Sequence, residues 1–80
     1  MKVSILAFGI VKEIFQRSSI EIELNGAPAI SNLRSVLERD YPRLKQLNSY
    51  MIAVNDEYVT ADIIIESKDE IAIIPPVSGG

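Results

Sequence analysis

The residues best placed to do chemistry are the last six, Pro75-Pro76-Val77-Ser78-Gly79-Gly80. They present one reactive group, the carboxylate of Gly80. Gly79 and Gly80 bring no side chain to bury and lose much backbone freedom if ordered, so as structure they contribute little. They suit a thin probe that carries a terminal carboxyl group into a site on another protein, and backbone capture of an extended C-terminus is a recurring binding mode. A carboxylate is a poor electrophile, because its charge is delocalised and oxide is a bad leaving group. ATP overcomes this by forming an acyl-adenylate, and a sulfur donor can then leave a thiocarboxylate on Gly80. That group is anionic, soft and nucleophilic, and it can deliver sulfur to a substrate carbon. Glycine serves both steps, since it passes a narrow channel and leaves the carbonyl unshielded. The plainer reading of Ser78-Gly79-Gly80 is a frayed end.

The rest of the chain lacks the groups for catalysis alone. It has no histidine and no cysteine. This removes Ser-His-Asp and Cys-His arrangements, nitrogen or sulfur metal ligands, and a general base titrating near neutral pH. The glycines are Gly9, Gly26, Gly79 and Gly80, so neither a P-loop nor a dinucleotide fingerprint is present. The acids between Asp56 and Glu70 lack calcium-loop spacing. No metal site and no bound cofactor are expected.

Composition bounds the partners. Eighty residues make one domain, which buries roughly 60–70% of the surface its unfolded chain exposes. No apolar run approaches the about 20 residues of a membrane span, and Met1-Lys2-Val3-Ser4 does not open a secretory signal. The lack of cysteine fits a cytoplasmic protein. The net charge is −3 and no basic run occurs, which argues against nucleic acid as a partner. Residues 56–70 hold six acids and one base, Lys68. They read either as a solvated loop region or as a patch for a basic partner.

The tail needs a rigid base, and the pattern upstream supplies one. Val3 to Phe8 is nearly continuous in apolar residues and predicts a strand buried on both faces. Ile10, Val11, Ile14 and Phe15 predict one or two helical turns. Ser19 to Leu24 alternates, with Ile20, Ile22 and Leu24 on one side, and predicts a half-exposed strand antiparallel to the first. Asn25-Gly26-Ala27-Pro28 breaks it. Ile30, Leu33, Val36, Leu37 and Tyr41 form the stripe of the main helix, about Ile30 to Asp40, which Pro42 ends. Arg43 to Asn48 adds a turn, with Leu44 and Leu47 inward. Tyr50 to Val54 is a third strand, Asn55-Asp56-Glu57 turns it, and Tyr58-Val59 returns as a short one. Ile63-Ile64-Ile65 is either a strand or an irregular buried segment. Ile71 to Ile74 is the last strand, stopped by Pro75 and Pro76, which stiffen the exit.

These elements predict an α+β fold: a mixed sheet of four to five strands with one main helix packed across it, and the first and last strands together at the centre. That is the β-grasp, or ubiquitin-like, architecture. Residues 1–76 form the domain and 77–80 a flexible tail. On such a domain, directly after Pro75-Pro76-Val77, the diglycine reads as functional.

The tail resembles the Pro-Pro-Val-Ser/Thr-Gly-Gly end of the small subunit of molybdopterin synthase. The similarity runs along nearly the whole chain. Leu6-Ala7-Phe8 and Val11-Lys12-Glu13-Ile14 are similar to that family's opening strand and its Val-Arg-Glu-Leu helix. Leu33-Arg34, Ala53-Val54-Asn55 and Asp69-Glu70-Ile71-Ala72 match its helix, turn and final strand. Two departures stand out. Lys12 replaces a common arginine. Ala29 stands where a capping Ser or Thr is expected, which predicts a helix start that is weak or shifted to Ser31.

The resemblance implies a sulfur carrier in molybdenum cofactor biosynthesis, with Gly80 as the catalytic residue. An adenylyltransferase of the ubiquitin-activating kind would use ATP to make the glycyl-adenylate, and a sulfur donor protein would convert it to 1-thioglycine. Pro75, Pro76, Val77, Ser78 and Gly79 would bind the large synthase subunit. That subunit would supply the active-site lysine, and sulfur would pass to cyclic pyranopterin monophosphate in a heterotetramer. Ile73 is open to two readings, partner contact beside Val77 or ordinary core. The alternatives are a sulfur carrier for thiamine or tRNA thiolation, a protein modifier joined to lysines, and a non-covalent β-grasp module with an idle tail. The Pro-Pro-Val lead-in disfavours the thiamine carrier.

Overall fold

The computed structural model describes residues 1–47 and 49–76. Its elements run β1 (Lys2–Ala7), α1 (Ile10–Phe15), β2 (Ser19–Glu23), α2 (Ile30–Asp40), a 3₁₀ turn (Pro42–Gln46), β3 (Met51–Val54), β4 (Glu57–Tyr58) and β5 (Glu70–Ile74). The five strands form one sheet in the order β2-β1-β5-β3-β4. β1 and β5 are parallel, with Ile5 opposite Ile71 and Ala7 opposite Ile73. Every other pairing is antiparallel. This is the expected β-grasp.

One face of the sheet makes the core. Val3, Ile5, Ile52, Ile71 and Ile73 turn inward and meet Ile30, Leu33 and Leu37 of α2, and Val11, Phe15 and Leu44 join them. Leu33, Leu37 and Leu44 are fully buried. Apolar burial of this kind contributes roughly 1.5–3 kcal/mol for each such side chain. The helix ends as the sequence demands: Pro42 follows Tyr41, whose N–H is donated to the Leu37 carbonyl.

Three expectations need correction. β1 is buried on one face only: Ser4 is exposed and Leu6 half-buried, because among the described residues no second layer covers the outer face of the sheet. Of Ile63-Ile64-Ile65, only Ile65 is buried, while Ile64 forms an isolated bridge to Ala29 with its side chain 66% exposed. α2 starts at Ile30 rather than at Ser31, because the missing cap at Ala29 is replaced from elsewhere: the Asp62 carboxylate accepts the Ser31 N–H and hydroxyl.

Asn55 and Asp56 turn β3 into β4 with φ of 53° and 70°. Paired left-handed residues make the tight hairpin turn that matches strand twist. Asn55 also ties this turn to β5. Its N–H is donated to the Glu70 carbonyl, and its side-chain oxygen accepts the Glu70 N–H at 3.0 Å.

Candidate functional site: the exit of the central strand

β5 carries the tail, and it is held on both sides. β1 pairs with it as far as Ile73 and β3 as far as Ile74, opposite Met51. Ile71 and Ile73 are fully buried beneath. Ile73 is therefore core, and the partner-contact reading of that residue is overturned: its side chain points into the domain, away from any visitor. Pro75 is half-buried and Pro76 exposed, just past the last ladder pair. Val77, Ser78, Gly79 and Gly80 lie outside the described residues, as does the expectation of a flexible tail over 77–80.

Gly9 shapes the exit from the other side. It has φ of 56°, and a β-carbon built on it would stand 3.0 Å from Pro75 Cγ. A side chain there would press on the proline that begins the tail. Below β3, Tyr50 is buried, Arg34 lies 4.9 Å from its ring centroid, and its hydroxyl donates a hydrogen bond to Glu38. Burial, then the Glu38 carboxylate, raises the phenol pKa well above its usual value. Tyr50 is thus a protonated structural strut, not a nucleophile.

The side chains beside the exit form a surface that the sequence reading missed. Leu6, Phe8, Ala53, Tyr58, Ala72 and Ile74 line a groove of about 230 Å³ on the outer face of the sheet. Phe8 is 48% exposed and Tyr58 59%. Asp56 and Glu70 border the groove. The signal was present in the strand parity: Leu6 and Phe8 alternate with the inward Ile5 and Ala7, and Ala72 and Ile74 with Ile71 and Ile73. Apolar residues on both parities imply two covered faces, and the domain itself covers one.

The acidic stretch divides into roles. Asp62 caps α2. Asp69 accepts the Glu66 N–H at 2.8 Å and the Asn55 amide at 3.0 Å, and these bonds hold its carboxyl below the usual carboxylate range. A hollow of about 550 Å³ between Val54, Tyr58 and Ala61 lies at the end of β3 away from the exit, and the chain has no histidine or cysteine to place in it. Among the described residues, no group of three or more carboxylates could hold a metal ion, and no helix is long and apolar enough to cross a membrane. Among the described residues, the arrangement starts the C-terminal segment from a strand paired on both sides, beside an apolar surface.

Comparison with known proteins agrees with this geometry. The ThiS family matches residues 5–80. The molybdopterin synthase sulfur carrier subunit of Dictyostelium discoideum is 48% identical over 80 residues, covering 95% of this chain and 93% of that protein. In the solved complex of subunits 1 and 2 of molybdopterin-converting factor from Helicobacter pylori, one chain is 27% identical, with a TM-score of 0.72 and full coverage of both chains. SAMP1 from Haloferax volcanii shares the fold, with a TM-score of 0.82, 19% identity and full coverage of both.

Proposed function

We propose that this chain, which belongs to the ThiS family, is the sulfur carrier of a molybdopterin synthase and that it carries the sulfur on Gly80. The observation behind this reading is the Pro-Pro-Val-Ser-Gly-Gly end placed on the central strand of a β-grasp domain. The high identity to a sulfur carrier subunit along almost the whole length supports it.

The chemistry proceeds at the backbone terminus. The Gly80 carboxylate attacks the α-phosphorus of ATP on an adenylyltransferase, and pyrophosphate leaves. A thiol reductant releases hydrosulfide from the persulfide of a donor protein, and the hydrosulfide attacks the acyl carbon and displaces AMP, leaving a thiocarboxylate. On the large subunit, that sulfur attacks a carbon of cyclic pyranopterin monophosphate and an oxygen substituent on that carbon leaves, so one C–O bond is exchanged for one C–S bond. Water then cleaves the acyl–sulfur bond and returns Gly80 to a carboxylate. Groups that bind the precursor, an active-site lysine among them, belong to the large subunit. This division fits a chain without histidine or cysteine.

The large subunit is the partner that the Helicobacter pylori complex suggests. Docking it on the outer sheet face beside Phe8 and Ile74 would bury the apolar groove and aim the tail inward. A cycle that draws on ATP and a chain without cysteine fit the cytoplasm.

Mass spectrometry of the intact chain after incubation with a matched adenylyltransferase, ATP and a sulfur donor tests the reading. One oxygen replaced by sulfur at Gly80 is the expected result, and an unchanged mass would overturn it. Deleting the gene identifies the acceptor. Loss of molybdoenzyme activity is expected, whereas a thiamine requirement or altered tRNA thiolation would assign the carrier to another pathway.

A further inference from the structure

β5 has a neighbour on each side, so a chain leaving it must be released from two strands. Successive N–H groups of a strand point to opposite sides. The Glu70 N–H is donated to the Asn55 side chain, and the Asn55 N–H to the Glu70 carbonyl, so residue 70 faces β3. Alternation then turns residues 72, 74 and 76 toward β3 and residues 71, 73 and 75 toward β1. Continuing the two registers puts position 75 level with Gly9 and Tyr50, and position 76 level with Ser49. An N–H at 75 would seek the Phe8 carbonyl, and an N–H at 76 would seek the Ser49 carbonyl. Proline at each position leaves no donor.

We propose that Pro75 and Pro76 are positioning residues that act as a two-sided strand terminator and set the free length of the tail. One proline would release β5 from a single neighbour, whereas two consecutive prolines release it from both. The surroundings fit this role. The Phe8 carbonyl takes the Val11 N–H at 3.0 Å instead. Gly9 leaves the sheet with φ of 56° and makes room for the Pro75 ring. The six residues from Pro75 to Gly80 span at most about 20 Å. Each residue drawn into the ladder would remove about 3.3 Å of that reach. The consequence for delivery rests on the sulfur-carrier reading, but the termination itself does not.

The test is the double variant Pro75→Ala/Pro76→Ala. Amide hydrogen exchange followed by NMR should show residues 75 and 76 exchanging at least about tenfold more slowly than an unstructured peptide. Sulfur transfer from the thiocarboxylated double variant on the large subunit should fall about tenfold or more. Inserting two glycines between Val77 and Ser78 of that variant should restore transfer to within about threefold. Pro76→Ala alone, whose new N–H faces only Ser49, should show slowed exchange at residue 76 and serves if the double variant does not fold. Exchange at peptide rates in these variants would overturn the termination, and failure of the insertion to restore transfer would overturn the length-setting role. If the wild-type chain never gains sulfur at Gly80, the carrier reading fails while the exchange result still decides the termination.

Discussion

Asp62 caps Ser31 from across the sequence, its Oδ1 accepting the Ser31 N–H at 2.7 Å and its Oδ2 the Ser31 hydroxyl at 2.9 Å. The contact does what a capping side chain at Ala29 would otherwise do, and it sets a negative charge at the positive end of α2. Asn32 reinforces the same end by donating to the carbonyls of Asn25 and Ala27, each at 2.8 Å. Asp62→Ala should lower stability by about 1 kcal/mol, which corresponds to about 4–8 °C in Tm for a domain of this size. Asp62→Asn should lose less. Thermal melts of the three proteins decide it, and equal midpoints would show that the cap carries no stability.

Leu37 tests the core. It is fully buried between α2 and the sheet. Leu37→Ala should cost about 2–5 kcal/mol through lost transfer energy and the cavity left behind. A small domain has little in reserve, so urea titration should show a much earlier midpoint or an unfolded chain. A midpoint close to wild type would contradict the packing described.

Phe8 tests the docking surface. It is half exposed and lies next to the exit. Phe8→Asp should change stability by no more than about 0.5 kcal/mol. Affinity for the large subunit should fall by about tenfold or more, as is usual for an aromatic anchor. Calorimetry against the large subunit, with a melt as control, separates the two effects. Unchanged affinity would move the docking face elsewhere.

Acid should loosen the loop before β5. Hydrogen bonds from the Glu66 N–H and the Asn55 amide hold the Asp69 pKa below its ordinary 3.8. A lowered folded pKa means that the ionised group stabilises the fold above the unfolded pKa. That contribution is lost as the pH falls through the lower folded value. Glu23, bonded to the N-terminal ammonium, has the same sign. Asp69→Asn should therefore be less stable at neutral pH and lose less stability on acidification below 3.8. Urea midpoints at several pH values, with an NMR titration of the carboxyl groups, would show whether the curves converge.

The helices and most strands were legible because their signals are local. The stripe of Ile30, Leu33 and Leu37 with Pro42 behind it marks α2 from Ile30 to Asp40, as observed. β4 falls one residue earlier than expected, at Glu57–Tyr58, because the turn uses only Asn55 and Asp56 in left-handed conformations. Neither residue is glycine, so the tight turn left little mark. The Asp62 cap joins positions far apart in the chain, which no local pattern reveals. The outer face misled for a different reason. Leu6, Phe8, Ala72 and Ile74 are as apolar as core residues, and sequence does not tell a second layer of the same domain from a surface kept for a visitor. At the site, the stop of β5 before Pro75 was legible, whereas the Gly9 contact depends on a loop that only folding brings close.

The strand order also bears on how the protein is made. β5 sits in the middle of the sheet yet is the last of the five strands to leave the ribosome. Before it emerges, β2-β1 and β3-β4 are separate antiparallel pairs, and isolated two-stranded pairs are marginal in water. A chain truncated before Glu70 lacks the strand that joins the two pairs. Closure of the five-stranded sheet therefore waits on the segment that leads into the tail.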